Sequence, residues 1–261
     1  VMPVGAQSFS EALEMVWNVY AAAGALMAAK GPLTGVADEG GYWPNFETNE
    51  DALETLTRAI ERAGYTRGEV MISLDIAASE FHSDGQYRLA LEERSFDTEA
   101  WLEVLDGWIA RYPILSIEDP VSQHDRAGMA EFTRRHGDRL QIIGDDYLVT
   151  SAERVRAAQA EGACNAVLLK VNQIGTVSET RDAFEAATAK GWGTVVSARS
   201  GETEDTFISD LATGWDAGQL KVGSFTRSER MAKWNQVLRM EDMLGDKAVF
   251  AGRSALPKAL R

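Results

Sequence analysis

The sequence predicts an α/β protein in which parallel strands and helices alternate in a (β/α)8-type barrel. Six short apolar runs recur along the 261 residues, and a stretch with helical spacing follows each run. The runs are apolar rather than half-polar, which is typical of parallel strands covered on both faces. Charged residues fall at the ends of the runs, where such barrels carry their chemistry. An open doubly wound sheet would not bring six successive strands around a single point.

The strands can be assigned in chain order from these runs. They are EVMISL before Asp75, YPILSI before Glu118, LQIIG before Asp145, NAVLLK ending at Lys170, GTVVS ending at Ser197 and QLKVGS around Lys221. A closed barrel of this type needs eight strands. The other two are therefore expected ahead of Val1 or in the short run VMPV. We expect one barrel domain over residues 1–261, with six βα units visible and its upstream part absent.

Helical spacing is clear in six segments between and after the strands. They are SEALEMVWNVYAAAGALMAA, EDALETLTRAIERAG, DTEAWLEVLDGWIARY, RAGMAEFTRRHG, TVSETRDAFEAATAKG and SERMAKWNQVLRMEDMLG. In TVSETRDAFEAATAKG, Ser178 is predicted to cap the amino terminus and Gly191 to end the helix. The segment EFHSDGQYRLALEE is predicted to be an irregular surface excursion with a turn at Asp84-Gly85.

Composition excludes several classes of function. The net charge of −14 disfavours nucleic acid and anionic membrane surfaces as partners, although a local cationic pocket can still bind a small anion. No apolar stretch approaches the roughly 20 residues that cross a bilayer, and the first residues show no export signal. The single cysteine, Cys164, lies in the apolar run ACNAVLLK and is predicted to be a buried small hydrophobe. A reducing cytoplasm fits this pattern.

Three carboxylates stand at successive strand ends. Asp75, Glu118 and Asp145 would converge at the mouth of a barrel, where three crowded anions repel one another strongly. They must therefore be protonated, paired or bound to a metal. A hard divalent cation with oxygen ligands, above all Mg²⁺, resolves the repulsion. A single acid of this kind would more often be a helix cap or a surface acid, but three in succession favour the metal site.

Two lysines follow on later strands. Lys170 ends its strand, and a lysine held near a metal and other cations can act as a general base near neutral pH. Lys221 lies within the last strand. Either lysine alone could simply extend its ammonium group from a strand end to solvent. With the metal site, the pair indicates removal of a proton next to a carboxylate, with metal charge stabilising the resulting enediolate.

Two turns could supply further groups. Glu39 lies in the glycine-rich turn GVADEGGYWPN, from which an acid could protonate a leaving group; it could also be an ordinary turn acid. The run SARSGETED carries Arg199 and Ser200 into a turn where an anion could bind, and a helix follows it. Ala198, beside them, has no functional group.

These motifs together resemble the enolase family over essentially the whole chain. The segments that resemble enolases, in the same order, are MPVGAQSFSEAL, ADEGGYWPN, SLDIAASEF, SIEDP, GDDYLVT, LLKVNQIGTVSET, SGETEDTFISDLATG and RSERMAKWNQVLRMEDMLG. The resemblance implies the enolase-type barrel and a Mg²⁺-dependent lyase that converts 2-phosphoglycerate to phosphoenolpyruvate in glycolysis. It also implies a small phosphorylated carboxylate as substrate and a homo-oligomer, either a dimer or an octamer.

The resemblance also implies roles for individual residues. Those corresponding to the metal ligands are Asp75, Glu118 and Asp145, and Lys170 corresponds to the base that takes the C2 proton. The remaining correspondences are Lys221 with the lysine at the substrate carboxylate, Glu39 with the acid that assists hydroxide departure, and Arg199 and Ser200 with the phosphate-binding groups.

The chain departs from the family pattern at three positions. Ala198 replaces an active-site histidine, Ala37 a glycine before DEGG, and Val222 a threonine in KTG. The separate amino-terminal domain of enolases, two barrel strands and a QEF glutamate are also not among these residues. The substitutions favour a paralogue with another substrate, similar to the carboxyphosphonoenolpyruvate synthase of phosphonate biosynthesis. An enolase without the histidine and a non-catalytic binding barrel are the alternatives, the last disfavoured because the predicted ligands and both lysines remain.

Overall fold

A computed structural model describes residues 1–33, 35–43 and 46–261 of the chain. The chain divides into two compact units. The first unit comprises Val1–Met71 and Val196–Arg253, and the second comprises Ile72–Val195 and Ser254–Arg261. Both contain helices together with strands of the parallel sheet, so the predicted α/β class is confirmed.

The strands and helices of the described residues are numbered in chain order. The strands are β1 (Ile72–Asp75), β2 (His82–Ser83), β3 (Gln86–Leu89), β4 (Arg94–Phe96), β5 (Ile114–Glu118), β6 (Gln141–Gly144), β7 (Ala166–Leu169), β8 (Gly193–Ser197) and β9 (Gly218–Lys221). The helices are α1 (Phe9–Ala28), α2 (Asn49–Arg62), α3 (Thr98–Arg111), α4 (Arg126–His136), α5 (Ala152–Glu161), α6 (Val171–Ile174), α7 (Val177–Thr188), α8 (Phe207–Gly214) and α9 (Ser228–Leu244). Every strand predicted from an apolar run is present.

The second unit is built on parallel strands in the order β1-β5-β6-β7, with β8 next to β7. All residues of β5, β6 and β7 are buried. Their sequences are mostly apolar because neither face meets solvent, and the polar exceptions are Ser116, Glu118 and Gln141. Ile143, Ala166, Leu168 and Val195 form one cluster of the core. Because the strands are parallel and adjacent, their carboxyl ends lie along one edge, called here the carboxyl edge.

In the first unit, the end of β8 lies beside β9, and the four helices α1, α2, α8 and α9 pack against one another in pairs. Helix α1 packs on α2 and on α9, and α9 also packs on α8. Glu241 of α9 accepts a hydrogen bond from the Ser10 amide (3.0 Å) at the amino end of α1, where a negative charge is favourable. The VMPV run forms an isolated antiparallel bridge from Met2 to Met71. Within the described ranges, no helix has both the length and the apolar character needed to cross a membrane.

The segment predicted to be irregular forms a small ordered sheet. Strands β2, β3 and β4 pair antiparallel, and the predicted turn at Asp84-Gly85 is present with φ of 53° and 73°. Tyr87 of β3 is fully buried and stacks on Trp101 of α3, with ring centroids 5.7 Å apart. The sequence analysis did not predict this packing because the segment is largely polar, and the packing depends on the contact of the buried Tyr87 ring with α3.

The cap of α7 also differs from the prediction. Thr176, not Ser178, is the N-cap residue, and its hydroxyl accepts a hydrogen bond from the Glu179 amide at 3.1 Å. The same hydroxyl donates to the Glu179 carboxylate at 2.7 Å. Residues T-V-S-E thus place a threonine and a glutamate three positions apart, the spacing that favours capping at the first of them.

Candidate active site

Four of the predicted site residues lie along the carboxyl edge of the second unit. Asp75 ends β1 directly opposite Glu118, which ends β5. Glu118 in turn is opposite Ile143 of β6, two residues before Asp145, and Lys170 follows the last residue of β7. Glu118 and Asp145 are buried, whereas Asp75 is exposed. The predicted alignment of chemistry with successive strand ends is therefore present for these four residues.

Asp145 has close contacts with two side chains. The Lys170 Nζ contacts its Oδ2, and the two side chains are only 15% and 10% exposed. The Gln173 Nε2 donates a hydrogen bond to its Oδ1 at 3.2 Å. Charges that are largely withdrawn from water interact more strongly than surface pairs. The carboxylate of Asp145 and the amine of Lys170 are therefore held at one point of the carboxyl edge.

Two further acids at this edge were missed by the sequence analysis. Asp119, 2% exposed, accepts hydrogen bonds from the backbone amides of Asp145 (3.1 Å) and Asp146 (2.7 Å). Its backbone lies in the left-handed region, with φ of 42°. The signal was present in the sequence as the tandem acids Glu118-Asp119 and Asp145-Asp146. Only the fold shows that Asp119 binds the backbone amides of Asp145 and Asp146 and so holds this segment in place.

The acids create a strongly negative environment. Burial raises the pKa of Asp119 to about 7, although the two backbone amides oppose the shift. Burial, followed by the charge of Asp145, also raises the pKa of Asp146. Carboxylate oxygens from Asp119, Asp145 and Asp146 lie within 4.8 Å of one another. Such a donor set suits a hard divalent cation. It shares Asp145 with the predicted set of Asp75, Glu118 and Asp145.

A hydrogen-bond network connects the Asp145 side chain to the backbone of Lys170. The Thr150 hydroxyl donates to the Gln173 Oε1 at 2.6 Å, and the Lys170 amide donates to the Thr150 Oγ1 at 3.0 Å. Thr150 is fully buried and has φ of 56°, a conformation that is costly for a β-branched residue. Gln173 therefore contacts both the Asp145 carboxylate and the strained Thr150, and Thr150 in turn accepts a hydrogen bond from the amide of Lys170.

We expect Gln173→Leu to lower the free energy of unfolding by about 1–3 kcal/mol, because the buried Thr150 hydroxyl loses its closer acceptor and Asp145 loses a donor. Urea denaturation measures the change. Gln236→Leu is the matched control, since the Gln236 amide donates to Asp210 on the surface. We expect its effect to stay within about 0.5 kcal/mol. Equal effects of the two changes would contradict the role of Gln173.

The other predicted site residues lie in the first unit. Lys221 ends β9, and its carbonyl accepts a hydrogen bond from the Ala198 amide at 2.9 Å. Arg199 and Ser200 follow Ala198 in the turn after β8, where the Arg199 amide donates to the Glu202 Oε1 at 2.9 Å. Ala198 is 6% exposed, so its methyl group is buried beside this turn.

The loop that carries Glu39 is a tight turn. The Ala37 amide donates to the Gly41 carbonyl and the Gly40 amide to the Ala37 carbonyl, both at 2.9 Å. The Glu39 carbonyl accepts a hydrogen bond from the Ser224 amide at 2.7 Å, close to the end of β9. Glu39, Lys221 and the Arg199 turn are thus parts of the same unit. Pro44 and Asn45, which end the motif GVADEGGYWPN, lie outside the described residues.

The parallel strands carry acids and a lysine at their carboxyl ends. This arrangement is typical of an α/β-barrel domain, here with an acidic edge that could bind a metal. The family model described as "Enolase, C-terminal TIM barrel domain" matches residues 1–259. The chain belongs to this enolase family, which confirms the resemblance and the barrel fold that the sequence predicted. It therefore belongs to the enolase superfamily, whose members are typically lyases or isomerases.

Proposed function

We propose that this chain carries a Mg²⁺-dependent lyase site of the enolase type. It removes the proton next to the carboxylate of a small phosphorylated substrate and expels hydroxide from the neighbouring carbon, as in the conversion of 2-phosphoglycerate to phosphoenolpyruvate. The observation that carries the proposal is the contact of Lys170 with Asp145 at the acidic carboxyl edge of a chain in this family. The cytoplasmic location and the homo-oligomeric state belong to the same proposal.

The proposed metal ligands are Asp75, Glu118 and Asp145. Asp75 and Glu118 are opposite each other on neighbouring strands, and Asp145 follows the next strand. We assign Asp119 to positioning, because its two oxygens already accept hydrogen bonds from the amides of Asp145 and Asp146. Mg²⁺ bound there would supply positive charge that favours negative charge on the substrate carboxylate. The concentration of carboxylates at this edge fits such a cation.

The remaining chemistry is assigned to side chains of the chain itself. Lys170, as the neutral amine, accepts the C2 proton, and Lys221 pairs with the substrate carboxylate. Glu39 donates the proton with which the C3 hydroxyl leaves as water. Arg199 and Ser200 bind the phosphate group. One proton is thus taken up by the lysine and one is released by the glutamate, so the two groups must reset before the next turnover.

A second candidate function follows from Ala198. This buried alanine contributes only a methyl group between the turn of Arg199 and the strand end at Lys221. A site with a small apolar residue at this point can accommodate a substrate with a different substituent, such as a phosphonate carboxylate. The alternative is an enolase paralogue of the type found in phosphonate biosynthesis.

Restoring a histidine distinguishes the two candidates. If the substrate is 2-phosphoglycerate, Ala198→His should raise its dehydration by about 10- to 150-fold, the effect of one charge-assisted hydrogen bond of roughly 1.5–3 kcal/mol. If the substrate is a phosphonate, the larger side chain should occupy its space and leave 2-phosphoglycerate turnover low. We expect the second result. Steady-state formation of phosphoenolpyruvate, followed by its ultraviolet absorbance, measures the change.

The proposed lyase itself is tested by solvent exchange. The protein is incubated with 2-phosphoglycerate or a phosphonate carboxylate in D₂O, with and without Mg²⁺, and loss of the C2 proton signal is followed by NMR. Mg²⁺-dependent exchange supports the proposed reaction class. A non-catalytic barrel would show no exchange with either substrate, although it could still bind Mg²⁺.

A further inference from the structure

Arg230 is a fully buried arginine that the proposed reaction does not use. It lies in the first turn of α9 and is 0% exposed, although arginine is rarely buried without partners. Its guanidinium contacts three separate segments of the first unit. These are the turn after β8, the residue after β9 and the loop that carries Glu39.

Each terminal nitrogen of Arg230 connects two of these segments. Nη1 donates to the carbonyls of Arg199 (2.7 Å) and Val222 (3.0 Å). Nη2 donates to the carbonyls of Ser200 (2.6 Å) and Asp38 (3.3 Å). Nη1 therefore connects the proposed phosphate-binding turn to the end of β9, and Nη2 connects the same turn to the residue before Glu39.

These carbonyls are the main compensation for the buried charge. The carboxylate of Glu229 is 3.8 Å from the Arg230 Nε, too far for a hydrogen bond. A buried cation is costly unless its donors are satisfied, and the planar guanidinium offers donors in a fixed arrangement. A lysine has three donors on a single nitrogen, so it cannot make all four of these hydrogen bonds or place them as far apart as Nη1 and Nη2 do. The position therefore requires the geometry of arginine in addition to its charge.

Gly223 allows the Glu39 loop to approach the guanidinium. Its φ is +136°, and a Cβ built there would lie 2.5 Å from the Glu39 carbonyl oxygen and 2.8 Å from the Arg230 Cδ. The next amide, that of Ser224, donates to the same Glu39 carbonyl at 2.7 Å. The backbone on both sides of the Glu39 side chain is thus held by Arg230 and by the residues after β9.

We propose that Arg230 is a positioning residue that sets the distance between the acid Glu39 and the anion-binding pair Arg199 and Ser200. The inference depends on the proposed function for the roles of those three residues. Arg230 itself does not touch the substrate. It acts through four backbone carbonyls, and its removal should separate the acid from the leaving group while Lys170, in the other unit, keeps its contacts.

Arg230→Lys tests the proposal because it keeps the charge and loses the bridging geometry. With 2-phosphoglycerate as probe, we expect KM to rise and the ratio of dehydration to C2 proton exchange at saturating substrate to fall, each on the order of 10-fold. Exchange reports the step of Lys170, whereas dehydration also needs Glu39. A fall in both rates by the same factor, with KM unchanged, would overturn the proposal.

Two further variants separate positioning from stability. Thr226→Val removes the hydroxyl that donates to the Gly40 carbonyl at an exposed position, so folding should persist. It should lower the ratio of dehydration to exchange without raising KM, since Thr226 holds only the Glu39 loop. Met240→Ala is the control, because this buried residue of α9 has no donor for either loop. Its ratio should equal that of the unmodified protein, and a lowered ratio would contradict positioning by Arg230.

Amide hydrogen exchange tests, without substrate, whether Arg230 holds the two loops. In Arg230→Lys, the amides of residues 37–41 and 199–203 should exchange on the order of 10-fold faster than in the unmodified protein. In Met240→Ala, any change in the exchange rate of these two segments should equal the change in the rest of the unit. Unchanged amide exchange in either segment of Arg230→Lys would refute the positioning role of Arg230. If the unmodified protein exchanges the C2 proton of neither 2-phosphoglycerate nor a phosphonate carboxylate, the proposed reaction fails, and amide exchange alone decides the role of Arg230.

Discussion

Replacing Lys170 by alanine is expected to abolish exchange of the substrate C2 proton with solvent and to lower turnover by about 10²–10⁴-fold or more. Lys170 is the amine at the acidic edge of the second unit, and its Nζ contacts Asp145. The substitution removes the amine that the proposal assigns as the base. NMR in D₂O measures the exchange, and formation of phosphoenolpyruvate measures the turnover.

A second variant separates the loss of a base from the loss of an ion pair. Lys170→Arg keeps a cation beside Asp145, but a guanidinium does not give up its proton in proteins. Both variants should therefore lose exchange, while Lys170→Arg should keep more of the stability. Lys190→Ala, at an exposed position after α7, is the control and should exchange normally. Exchange that persists in both Lys170 variants would mean that another group takes the proton.

Removing the Asp145 carboxylate is expected to abolish stabilisation by Mg²⁺. A cation at 100 times its Kd stabilises the folded state by about 2.7 kcal/mol, which raises the Tm of a protein of this size by roughly 5–10 °C. Asp145→Ala should show no such rise, because Asp145 belongs to both the predicted and the observed acid groups. Asp182→Ala, an exposed acid of α7, should keep the full rise. A Tm of the unmodified protein that does not respond to millimolar Mg²⁺ would reject the metal site.

The same titration distinguishes ligands from positioning acids. If Asp75 and Glu118 are ligands, Asp75→Asn and Glu118→Gln should reduce the Mg²⁺-dependent rise in Tm severely. Asp119→Asn should lower stability without the cation, because the amides of Asp145 and Asp146 lose a charged acceptor. If Asp119→Asn instead removes the Mg²⁺ effect and Asp75→Asn leaves it intact, the ligand set is the one defined by distance, Asp119, Asp145 and Asp146.

The fold class and the strand ends that carry four of the candidate site residues could be predicted from the sequence. Strands such as β5 and β7 are buried on both faces, and burial on both faces favours apolar side chains, with Ser116 and Glu118 of β5 as the exceptions. Each run could therefore be recognised separately, and a charged residue at or just after the end of β1, β5, β6 and β7 marked the carboxyl end of the strand. The alignment of Asp75 with Glu118 and the place of Lys170 after β7 follow from this local pattern. The enolase motifs added the proposed roles.

The contacts that hold these residues in place could not be predicted from the sequence. Asp119 accepts hydrogen bonds from backbone amides 26 and 27 residues away in the sequence. Arg230 donates hydrogen bonds to backbone carbonyls 30 and 192 residues away. Backbone amides and carbonyls are the same at every residue, so no side-chain pattern in the sequence marks which of them a buried charge will meet. Tyr87 is similar, since its burial depends on the ring of Trp101 in another element. Strand positions can be predicted from local apolar patterns, whereas these contacts join residues that only folding brings close together.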